Sequence, residues 1–164
     1  MAFCGSRAVY TIDSAESSFL DRENEFTDVA QQYENFGGSF CSNGNDSYLV
    51  NGDFFNFKAH RFFVGGGPLG EDREVTYEEL LQNVFLANEK FTYYKKFLED
   101  FPFIECMLGV TTGKFTGTEF LLPFNGDPSR DGFLYVSKGS PVLAEYQGLR
   151  QLNRDWYVVK TKAP

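Results

Sequence analysis

Few residues in this chain of 164 have types and spacings that could do chemistry, and they fall into three groups. The first centres on His60, the one histidine. A strand predicted over 53–64 would place it on one face with Asn56 and Lys58, where it could contact a ligand or move a proton. A zinc site needs several His or Cys ligands brought together, and the thiols have no such spacing. A Ser–His–Asp triad would have to use His60, and no GxSxG accompanies it. The second group centres on Glu105, which shares a strand face with Phe103 and Met107. A carboxylate between apolar neighbours is either exposed at an edge or held in a pocket, where it needs a cation or has a raised pKa. Trp156 supplies a further aromatic surface that could act as an anchor. The ligand-binding set expected from the sequence is therefore Glu105, His60, Lys58, Asn56, Phe103, Met107 and Trp156. No catalytic set, metal set or cofactor is expected.

The third group consists of short motifs whose context argues against them. Gly65-Gly66-Gly67-Pro68-Leu69-Gly70 matches GxGxxG after a strand. However, Pro68 removes a backbone donor, and Glu71, Asp72 and Glu74 put negative charge where a pyrophosphate would sit. A connector is the simpler reading. Asp127, Ser129, Asp131 and Gly132 occupy four places of a calcium-loop pattern, but Lys138 stands where the bidentate Glu belongs, so a polar hairpin loop is expected. Cys4, Cys41 and Cys106 are odd in number and widely spaced, which predicts reduced thiols in a cytoplasmic protein. The segment MAFCGSRAVYTID has no long apolar run, which predicts neither a signal peptide nor a membrane span.

The elements that must position these residues show an internal repeat. An offset of 65 aligns Phe26 with Phe91, Thr27 with Thr92, Glu34 with Glu99, Phe36 with Phe101 and Cys41 with Cys106. It also aligns Gly44 with Gly109, Gly52 with Gly117 and Phe55 with Phe120, which makes eight identities in the 30 positions from 26 to 55. A strand is predicted over 7–12 and a helix over 17–36, ended by Gly37-Gly38. Strands near 38–42 and 47–50 follow, with an Asn51-Gly52 turn before the strand at 53–64. A second helix is predicted from a Thr76/Glu79 capping box to Phe101, before Pro102. The acidic run from Glu71 to Glu79 suits its N-terminus. Strands then read at 103–111, 114–122, 133–138 and from 155, with turns at Thr112-Gly113 and Asn125-Gly126. Ser140-Pro141 could open a helix.

This pattern predicts one α+β domain over 1–164. It consists of two βαββ-like pseudo-repeats (about 7–67 and 74–162) that form one curved antiparallel sheet or partial barrel with two helices packed on it. The element order resembles the duplicated architecture of GyrI-like small-molecule-binding domains. The likeness is one of order alone, with no shared motif, so it assigns no residues.

With 19 Phe against 14 Leu and 2 Ile, the expected core is aromatic, and flat rings either pack on one another or line a cavity. A net charge of −8 argues against nucleic acid and anionic membrane as partners and permits a basic protein or a cationic ligand. The leading expectation is a non-enzymatic domain that binds an apolar or aromatic small molecule in a cleft between sheet and helices. The alternative is an acidic protein-interaction or inhibitor module. An enzyme using Glu105, His60 or a tyrosine as acid or base ranks third. The sequence leaves the oligomeric state open.

Overall fold

The computed structural model describes residues 10–65, 72–83, 88–112, 115–124, 129–140 and 146–162. Its elements run α1 (Ile12–Asp21), α2 (Glu23–Phe36), β1 (Ser39–Gly44), β2 (Ser47–Val50), β3 (Asp53–Asn56), β4 (Arg61–Val64), β5 (Arg73–Val75), α3 (Tyr77–Asn83) and α4 (Asn88–Asp100). They continue with β6 (Cys106–Thr112), β7 (Phe115–Leu121), β8 (Ser129–Val136), β9 (Gln147–Gln151) and β10 (Trp156–Lys162). The ten strands form one open antiparallel sheet in the order β5-β4-β3-β2-β1-β6-β7-β8-β10-β9. The class is α+β, as the sequence implies.

Several boundaries differ from expectation. No strand begins the described chain, because Ile12 is already helical. Thr11 and Ser14 cap each other's backbone, with Ser14 N–H donating to Thr11 Oγ1 (3.2 Å) and Thr11 N–H to Ser14 Oγ (3.1 Å). The long first helix is two helices, broken at Arg22, whose φ of −125° is not helical. The expected strand at 53–64 is a hairpin, β3 and β4, turning through Phe57 to His60. Strands β5 and β9 are additional, and β8 begins at Ser129, earlier than expected. Two local signals hold. Thr76 and Glu79 form the reciprocal cap (2.9 and 3.2 Å), and Asn51-Gly52 takes positive φ at both residues (51° and 88°). Pro141, Thr112-Gly113 as a complete turn and Asn125-Gly126 lie outside the described residues.

The sheet's midline is the β1–β6 pair, with Phe40 opposite Met107 and Cys41 opposite Cys106. Gly109 lets the chain pass closely beside it: a Cβ there would lie 3.0 Å from Gly37 Cα, a tight contact that the backbone at Gly37 would have to relieve. The Cys41 and Cys106 Cα atoms are 4.1 Å apart, and the two sulfurs are bonded. This corrects the expectation of free thiols at both positions. The spacing of 65 residues gave no local signature, and it is sheet pairing that brings the two together. Cys4 lies outside the described residues.

The helices cross over the midline. On the second group of strands (β6–β10, the first being β1–β5), α1 and α2 pack by stacking Phe19 on Phe133 (4.4 Å between centroids) and setting Phe26 edge-on to Phe120 (5.4 Å). Trp156 Nε1–H donates to Thr27 Oγ1 (3.0 Å), which ties α2 to β10. Helix α4 lies over the first group, with Phe91 against Phe40, Phe55 and Phe57. Each helix therefore covers the strands that follow the other helix. Fully buried rings fill the space between helices and sheet, among them Phe19, Phe26, Tyr33, Phe40, Phe55, Tyr94, Phe120, Phe133 and Trp156.

Phe26 is the hub of this core, touching Phe19, Phe97, Phe101, Phe103, Phe120 and Trp156. Phe26→Ala is expected to cost about 3–5 kcal/mol in urea unfolding, against roughly 0.5 kcal/mol or less for Leu20→Ala on the exposed face of α1. Equal costs for the two variants would show that this core does not exist.

Candidate binding site

The residues singled out by sequence do not converge. Asn56 ends β3, whereas Lys58 and His60 lie in the β3–β4 turn, so no strand face carries the three together. His60 is exposed with a φ of 52°, Lys58 is exposed, and Asn56 Oδ1 accepts the Ala59 N–H (2.8 Å). Phe103, Met107 and Trp156 are buried within the aromatic core. Glu105 is buried just before β6, where its carboxylate accepts hydrogen bonds from Arg130 Nη2 and from the Phe124 N–H (3.0 Å). The cation that a buried carboxylate requires is thus Arg130, from β8, which lies one strand beyond β7. Ser129, Asp131 and Gly132 of the calcium-like pattern lie in β8, and Asp127 lies outside the described residues. Among the described residues, no three His, Cys, Asp or Glu side chains group as metal ligands. Of the GxGxxG motif only Gly65 is described, and its N–H donates to Asp53 Oδ1 (2.8 Å).

What the fold does provide is a groove of about 270 Å³ between α2 and α4, lined by residues of these two helices and by Phe101, which follows α4. Its floor is apolar and buried: Val29, Phe97 and Phe101 are 2%, 5% and 3% exposed. Its rim is exposed and mostly acidic, formed by Glu25, Asp28 and Asp100 with Lys96 and Tyr93. Helical spacing explains the arrangement. Positions 25, 28 and 29 share one face of α2, and 93, 96, 97, 100 and 101 share the facing side of α4. Arg22 pairs with Glu25 and lies 4.9 Å from the Phe101 ring centroid, and Lys96 pairs with Asp100 (2.8 Å). Asp28 has no ion-pair partner among the described residues, so the rim is net negative at that point. Burial first, and then the Asp28 charge, push the Tyr93 hydroxyl pKa above its ordinary value.

A second feature lies on the opposite face of the sheet, which carries no helix among the described residues. Phe115, Leu134, Val136 and Val159 form a small cluster there, with Tyr146 and Tyr157 packed against it. Glu119 sits beside them, 7% exposed, in register with Leu108 and Leu134. Burial pushes its carboxyl pKa above the usual range, while a hydrogen bond from the Tyr146 hydroxyl works in the other direction. Sequence reading missed both features. For the groove, the available signal was the placing of charges next to apolar positions on both helices. For Glu119, it was a carboxylate inside the run FTGTEFLL.

In comparisons with family models, curated proteins and solved structures, nothing matches this chain. No helix among the described residues is long and apolar enough to cross a membrane.

Because the folded-state pKa of Glu119 is raised, the native protein holds its proton more tightly than the unfolded chain does. This contribution to stability therefore falls as pH rises from the ordinary carboxyl range through the raised pKa. Glu119→Gln keeps an acceptor for Tyr146 and removes the titration. The variant is expected to be more stable than the parent at pH 7–8, by a margin that shrinks as pH falls to about 4. Paired thermal melts across that range test this, and a margin independent of pH would refute the buried-carboxyl assignment.

Proposed function

We propose that this protein is a binding domain for a small organic molecule with an apolar or aromatic body and a positive charge, seated in the α2–α4 groove. The observation that carries the reading is the pairing of a buried floor (Val29, Phe97, Phe101) with a rim of three carboxylates, one of them, Asp28, without an ion-pair partner among the described residues. An apolar floor with a few polar groups at its margin is the common form of a small-molecule site. Tyr93, 38% exposed at the rim, offers a ring face to a cation. The overall charge of −8 favours the encounter with a cation. The site differs from the expected cleft between sheet and helices, because rings already occupy that space. The reading needs no acid or base in the groove and makes the protein a receptor, not a catalyst.

The reading includes a duplicated ancestry for the two helices that wall the groove. Its support is the matched burial of residues 65 apart. Phe26 and Phe91, Val29 and Tyr94, Tyr33 and Leu98, and Phe55 and Phe120 are buried in both members of each pair. Asp28 and Tyr93 stand at equivalent positions on facing helices, so one ancestral position would supply the anion from one side and the ring from the other.

NMR titration with benzyltrimethylammonium, benzyl alcohol and benzoate tests the proposal. The cation should shift the amides around Val29, Tyr93 and Phe97 most strongly, the alcohol weakly and the anion least. Asp28→Asn should weaken the cation by roughly two- to fivefold, as expected for an exposed charge pair. Shifts confined to other surfaces, or equal binding of benzoate, would overturn it.

A further inference from the structure

We propose that the Cys41–Cys106 disulfide is a thiol-exchange site, opened by a low-molecular-weight thiol at Cys41 while Cys106 leaves as a thiolate beside Arg130. The two halves of the bond differ in access and in charge environment. Cys41 is half-buried, whereas Cys106 is 5% exposed. Arg130 Nη1 lies 3.8 Å from Cys106 Sγ. The guanidinium is held there by its ion pair with Glu105 and by donating from Nη2 to the Leu122 carbonyl (2.8 Å). Exchange is faster when the departing sulfur is the more stable thiolate, and a neighbouring cation with an N–H aimed at sulfur provides that stability. The Glu105 carboxylate partly offsets the cation. The residues in register beside the pair, Leu49 and Leu121, are apolar and carry no charge to oppose it.

The step balances with the thiol as reductant. A thiolate attacks Cys41 Sγ and forms a mixed disulfide, the Cys41–Cys106 bond breaks, and its electron pair remains on Cys106 Sγ. A second thiol then attacks the outer sulfur of the mixed disulfide, which releases a disulfide dimer of the small thiol and the Cys41 thiol. Two thiols are oxidised, the protein pair is reduced to a dithiol, and the two thiol protons pass to the two cysteines. The sheet does not depend on the bond during this step. On either side of it, the Ser42 N–H donates to the Glu105 carbonyl and the Gly109 N–H to the Gly38 carbonyl, both at 2.8 Å, so β1 and β6 stay paired when it opens.

The experiment treats the oxidised, folded protein with reduced glutathione at pH 7, with acid quenching, peptide mapping and circular dichroism at each time point. The proposal expects a transient glutathione adduct on Cys41, then the dithiol, with the fold unchanged. Arg130→Gln should slow opening by about tenfold, the loss expected for a hydrogen bond to a charged group, and Glu105→Gln should leave it as fast or faster. Simple loosening of the sheet would instead speed opening in both variants. If Arg130→Gln does not fold, the double variant E105Q/R130Q leaves no buried charge unpaired and should show the same slowing. An adduct on Cys106, undiminished opening without Arg130, or reduction only in denaturant would overturn the proposal.

Discussion

The rest of the structure depends on the crossed packing of two helices over one continuous sheet. Strands β1 and β6 lie side by side at the midline, and the helix that leads into each of them covers the strands beyond the other. Neither group of strands buries its helix-facing rings without the helix from the other half of the chain. The helix-facing core is therefore one cluster that reaches across the sheet from Val75 on β5 to Val158 on β10, and the two helices must lie next to each other above it. The α2–α4 groove is the external consequence of that adjacency.

The preference for phenylalanine follows from the same geometry. A single layer of helices over a sheet leaves a thin interior, and rings that meet edge-on fill it with few contacts left unmade. Phe26 meets Phe97, Phe101 and Phe120 at interplanar angles of 60° to 78°, whereas Phe19 lies nearly parallel to Phe133. The larger aromatics also bring polar handles to where the backbone needs them. The Tyr33 hydroxyl lies within hydrogen-bonding distance of the Gly38 and Met107 carbonyls (3.2 and 3.1 Å), which locks α2 onto the β1–β6 junction. Burial raises its pKa well above the ordinary phenol value, so it remains a donor at any physiological pH.

Local chemistry was legible in the sequence, and long-range pairing was not. The Thr76/Glu79 cap, the Asn51-Gly52 turn and strand β2 depend on neighbours within a few residues, and all three stand as read. The strand expected at 53–64 failed because its run of Phe residues continues on both sides of the turn, where His60 takes a left-handed conformation (φ 52°). Of the strand expected over 7–12, residues 7–9 lie outside the described residues, and from Thr11 the strand-like composition gives way to a helix that Thr11 and Ser14 cap. The Cys41–Cys106 bond, the Glu105–Arg130 pair and the groove each join residues that only the sheet order and the helix crossing make neighbours. The offset of 65 that aligns Cys41 with Cys106 was visible, but sequence alone gave no reason to bring the two aligned positions together. The groove's rim went unnoticed, because exposed carboxylates on a helix resemble an ordinary solvated face until a second helix closes the other side.

The most direct test of this account is a nuclear Overhauser map of the aromatic rings in the full chain. Crossed packing requires cross-peaks from Phe19 to Phe133, from the Trp156 indole N–H to Thr27, and from Phe91 to Phe40 and Phe55. If the rings of α2 gave cross-peaks to β2 and β3, and those of α4 to β8 and β10, with the crossing set absent, each helix would sit on its own strands and the account would be wrong.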